Sequence, residues 1–68
     1  MDSMITYTPA PSANWLRMTP MEVDIWNVLK DGPLGAPEII ARVRGDYFTI
    51  MNTIHQMARD GTLVPKEE

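Results

Sequence analysis

Cysteine is absent from this 68-residue chain. No disulfide framework and no thiolate metal site can form, so stability has to come from an apolar core or from a partner chain. Long apolar runs are missing as well. No stretch exceeds three residues, and nothing in the sequence is built to span a membrane. The opening MDSMITYT carries neither the basic segment nor the apolar stretch of a secretory signal, and the cytoplasm is the expected location. An excess of basic charge is the third absence. The formal net charge is −3, which gives no overall pull toward nucleic acid, although phosphate contact depends on where charges lie rather than on their sum. Catalytic signatures are missing too: there is no Gly-rich phosphate loop and no H-E-x-x-H pair. Ser3 and Ser12 have no evident base or orienting partner. His55 is the only histidine and the carboxylates are scattered, so no metal ligand set emerges. Neither an enzyme nor a cofactor, metal or small-molecule ligand is expected.

What is present is enough for one small domain. The hydrophobic content of 44% and two Trp argue against global disorder. A chain of this length buries only about 60% of the surface it exposes when unfolded. Three segments are expected: an arm over 1–18, a folded domain over 19–64 and a tail over 65–68. In the arm, Pro9 and Pro11 keep the middle extended, and Ile5 and Tyr7 alternate with Thr6 and Thr8 as in a short strand over 4–8. Trp15 and Leu16 are apolar enough to pin the arm to a core. The alternative is a frayed terminus with one anchoring Trp.

Helix signals follow. TPME (19–22) is a capping box, with Thr19 as N-cap, Pro20 in the first helical position and Glu22 reaching back. Ile25, Val28 and Leu29 recur at helical spacing, with Trp26 widening the stripe. Lys30 suits the negative end of the helix dipole, and Gly32 is the expected C-cap. Leu34 can form a minimal strand. Pro37 and Glu38 fit the first turn of a second helix whose apolar face is Ile39, Ile40 and Val43, and Gly45 breaks it. Asp46 caps a third helix, where Ile50, Ile54, Met57 and Ala58 form the i, i+4, i+7, i+8 stripe. Gly61 ends that helix, TLV reads as a strand, and Pro65 stops it. The fold class expected is mainly α: a three-helix winged helix-turn-helix core with a minimal β element made of Leu34, Leu63 and Val64, with the 4–8 arm as a further candidate. Small three-helix cores of this kind also serve as protein-binding modules.

A resemblance sharpens that expectation. EVDIWNVLKDGPLGAPEI (22–39) looks like the first helix and turn of the penicillinase-repressor family of winged-helix regulators. DYFTIMNTIHQMARDGTLV (46–64) resembles their recognition helix and wing start, with Tyr47, Thr49, Ile50, Thr53, Ile54, Met57 and Gly61 in the family's places. The resemblance covers about 19–64. It implies a small prokaryotic or phage-type repressor that binds duplex DNA through the third helix. Gln56 stands where the family commonly has Arg, and Asp60 where Lys is common. Only the first wing strand fits within the match, and the family's C-terminal dimerisation helices have no counterpart here. The N-terminal arm is the expected substitute: its Ile5/Tyr7 strand can complete a sheet with Leu63 and Val64, in the same chain or in a second one.

On the face opposite the stripe, residue chemistry suits base edges. Asn52 and Gln56 can pair with adenine, Arg59 with guanine, and Thr49 can touch a thymine methyl; His55 is a solvated residue or a further DNA contact. Arg17, Arg42 and Arg44 are candidates for phosphate contact. The plain alternative is a solvated polar face. A third reading is a protein-interaction module without DNA, built on an apolar patch of Tyr47, Phe48 and Met51, with Ile5 and Tyr7 from the arm. The partners expected are therefore duplex DNA and either a second copy of the chain or another protein.

Overall fold

The computed structural model describes residues 4–11 and 17–67. Trp15 and Leu16, expected to pin the arm, lie outside the described residues, as do Ser3 and Ser12. Six elements follow one another: β1 (Ile5–Pro9), α1 (Pro20–Leu29), β2 (Leu34–Gly35), α2 (Ala36–Arg42), α3 (Tyr47–Asp60) and β3 (Leu63–Glu67).

The helices begin and end on local chemistry. Thr19 and Glu22 form the reciprocal capping box: the Glu22 amide donates to Thr19 Oγ1 at 3.3 Å and the Thr19 amide to Glu22 Oε1 at 2.9 Å. The C-cap of α1 is Lys30 rather than Gly32. α2 is only seven residues long and closes with Val43 as its C-cap, before Gly45 is reached. At the start of α3 the Thr49 amide donates to Asp46 Oδ1 at 2.7 Å. At its end Gly61 turns left-handed, with φ 83°. The Gly61 amide then reaches Ala58 O and the Thr62 amide reaches Met57 O at 2.8 Å. This paired arrangement satisfies carbonyls that the helix itself leaves open.

The strands correct the fold-class expectation. The chain is not mainly α with a minimal β element; three helices and a three-stranded antiparallel sheet make an α/β fold. The sheet order is β2-β1-β3, so the arm's strand is the central one and pairs on both sides. Its register is fixed by Thr6 opposite Gly35 and by Thr8 opposite Val64, within the same chain. The miss has a physical cause. A strand is stabilised by its neighbours, and both neighbours of β1 are distant in sequence, so local pattern understates it.

Pro65 was expected to stop the last strand, yet β3 runs through it to Glu67. The ladder explains why. The Ala10 amide donates to Thr62 O at 2.9 Å, which marks that pair as hydrogen-bonded. Antiparallel pairs alternate, so Thr8–Val64 and Thr6–Lys66 are bonded pairs, and Tyr7–Pro65 and Pro9–Leu63 are not. The nitrogen of Pro65 thus points to the free side of an edge strand, where no donor is needed.

The core lies between this sheet and the three helices. Ile25, Ile39, Ile50, Ile54 and Met57 are fully buried, joined by Leu29, Val43, Leu63 and Tyr7. Each such aliphatic side chain contributes about 1.5–3 kcal/mol by leaving water. α3 supplies three of these residues, so one of its faces is wholly committed to packing. No helix among the described residues is long and apolar enough to cross a membrane.

Candidate functional site

Helical periodicity leaves the opposite face of α3 to solvent. Asn52, His55, Gln56 and Arg59 follow i, i+3, i+4, i+7 spacing and are all exposed. Together with Asp60 they line an open concavity of about 430 Å³. Among the described residues none of these four side chains makes a hydrogen bond or an ion pair. Two amides, an imidazole and a guanidinium therefore stand side by side with their donors and acceptors unspent. Asp60 was not among the expected site residues. Its position beside Arg59 in the last turn was the available signal.

The flanking basic residues are placed by the chain's path. Arg42 ends α2 and Arg44 lies in the turn into α3, and both are exposed. Arg17 is exposed ahead of α1. The path between Arg44 and α3 depends on Gly45, whose φ of 143° is poorly open to residues with a side chain.

Thr49, expected to touch a thymine methyl, lies exposed in the first turn of α3. Its hydroxyl donates to Asp46 Oδ2 at 3.0 Å while its amide binds Oδ1, so the side chain is engaged in the helix cap. The Thr49 hydroxyl, and next the Thr49 amide, hold the Asp46 carboxyl below its ordinary value. Asp46 is thus ionised at neutral pH and already complements the positive end of the α3 dipole. The first turn of α3 is consequently a poor place for a phosphate.

The residues expected at a protein contact separate. Phe48 is 76% exposed and Tyr47 57% exposed, with the rings edge to face at 5.4 Å and 87°. Met51 is half-buried and packs against the core, so it does not extend that patch. Tyr7 is buried in the core, and Ile5 lies exposed on β1 rather than on α3. Among the described residues no cluster of three histidines or carboxylates could hold a metal ion. No protein family, curated protein or solved structure compared with this chain matches it.

Proposed function

We propose that this chain is a small DNA-binding regulator of the winged helix-turn-helix kind, repressor-like, which contacts duplex DNA through the outer face of α3. The observation that carries this reading is the set Asn52, His55, Gln56 and Arg59, exposed together along one concavity with no partner among the described residues. Amide side chains match the paired donor and acceptor of adenine in the major groove, and guanidinium matches the two acceptors of guanine. Arg42 and Arg44, at the entry to α3, supply the phosphate contacts that fix orientation. In this reading β3 is the first strand of the wing, and the arm strand β1 stands where the second would. Two copies on a two-fold-related site is the expected bound form.

The test is a titration of the labelled protein with mixed-sequence duplex, by anisotropy and by NMR, at low salt and near about 150 mM, where counterion release weakens phosphate binding. Binding should fall steeply with salt, with resonance shifts at Asn52, Gln56 and Arg59. The double variant Gln56→Ala, Arg59→Ala should lose at least tenfold in affinity, since each bidentate base contact is worth about 1–3 kcal/mol. A double variant that binds as the parent does would overturn the reading.

One observation favours a second reading, a protein-interaction module without DNA: the exposed Tyr47–Phe48 pair. That function predicts association that is weakly sensitive to salt and lost on substitution of Phe48.

A further inference from the structure

Phe48 is the largest departure from an ordinary surface on α3. It is 76% exposed and takes no part in the core, and among the described residues its one ring contact is the edge-to-face pair with Tyr47. Its position on the helix is informative. Phe48, Asn52, His55 and Arg59 follow i, i+4, i+7, i+11, so the ring begins the same stripe whose other members line the concavity. The stripe thus runs from an apolar ring, through an amide and an imidazole, to a cation. The partner must offer apolar and hydrogen-bonding groups at matching intervals.

Resting on the DNA-binding reading above, we propose that Phe48 is a specificity-determining residue that packs on thymine 5-methyl groups, and that α3 prefers A·T-containing major groove. Thymine is the only base that puts a methyl group in the major groove, and aromatic side chains are among those that meet it. Phe48 and Asn52 are separated by about 6 Å of helix rise, close to two base-pair steps of about 3.4 Å. A ring on a thymine methyl therefore brings the Asn52 amide level with a nearby adenine edge, where it can pair with N6 and N7. The ionised Asp46 beside this turn agrees with the assignment. It disfavours phosphate there and leaves the first turn to a contact that carries no charge. Arg42 and Arg44 hold the backbone from the preceding turn.

The experiment removes the methyl and nothing else. Anisotropy is measured at low salt for the parent protein and for Phe48→Ala. The probes are a mixed-order A·T duplex and the same duplex with every thymine replaced by uracil. The parent should bind the thymine duplex about fourfold more tightly, the worth of burying one methyl-sized group. Phe48→Ala should bind both duplexes alike, at the parent's affinity for the uracil duplex. Its fold is not at risk, because an exposed ring is exchanged for the best helix former. A parent that binds both duplexes equally overturns the thymine contact and leaves the DNA reading standing. A Phe48→Ala protein that keeps the preference also overturns it, and returns Phe48 to the protein-contact reading. Failure of the parent to bind either duplex overturns the DNA reading and this contact with it.

Discussion

The two faces of α3 obey different rules. On one face Ile50, Ile54 and Met57 are fully buried, and the helices around them and the sheet strand β3 depend on their volume. On the other, Phe48, Asn52, His55, Gln56 and Arg59 are exposed; among the described residues the last four make no side-chain hydrogen bond or ion pair, and Phe48 meets the ring of Tyr47. The inner face and the caps are enough to fix the helix, because packing, rather than propensity, carries most helical stability in a small protein. The outer face is then free to be chosen for a partner.

The contrast breaks most severely from the inside. Ile54→Ala leaves a cavity where the helices meet the sheet, and should cost about 2–5 kcal/mol. A chain of 68 residues holds roughly 3–10 kcal/mol in total, so urea denaturation should find this variant largely unfolded or close to it. A smaller loss is expected at the turn that joins the faces. Gly45→Ala forces a side chain into a φ of 143° and places its Cβ 3.4 Å from Ile50 Cγ1, with Met21 Cε closer still. Met21 can swing aside, but the backbone cannot relax without moving the start of α3. A cost of about 1–3 kcal/mol in the same urea measurement is expected.

How much of this was legible in the sequence follows from the range of the forces involved. The Thr19–Glu22 box, the Asp46 cap, the Gly61 stop and the buried stripe of α3 are short-range features, and residues a few positions apart specify them. The exposed stripe of Asn52, His55, Gln56 and Arg59 is legible for the same reason, as the complement of the buried one. The sheet was not. Thr8 meets Val64 across almost the whole chain, and Pro65 is harmless only because the ladder turns its nitrogen outward. Neither fact exists until the strands pair. At two candidate residues the packing and hydrogen bonding exist only in the folded chain. Met51 sits at the flank of the stripe and folds onto the core, and Thr49 spends its hydroxyl on Asp46.

Asp46 allows a finer test, because it belongs to the helix start that both faces share. Its carboxyl is held below its ordinary value in the folded chain. Such a group adds stability above its unfolded pKa and loses that contribution as pH falls through the folded one. The stabilisation is therefore complete at neutral pH and fades in the acid range below about pH 4, where carboxylates protonate. Asp46→Ala should lower Tm by a few degrees at pH 7, since a cap is lost. The gap between variant and parent should narrow on acidification. A gap that stays constant down to the acid limit would mean that the Thr49 bonds contribute nothing specific to the ionised form.

The smallest effect on stability is expected where the largest effect on binding is proposed. Asn52→Ala and His55→Ala, singly or together, remove exposed side chains that make no hydrogen bond or ion pair among the described residues. Each should change the urea midpoint by no more than about 0.5 kcal/mol in free energy, and alanine's helix propensity could even offset the loss. Duplex affinity should fall with the same substitutions. This pairing separates a chosen surface from a solvated one: a solvated face would show neither change, and a structural face would show both. A loss of stability above about 1 kcal/mol would place these residues with Ile54 and dissolve the distinction between the two faces.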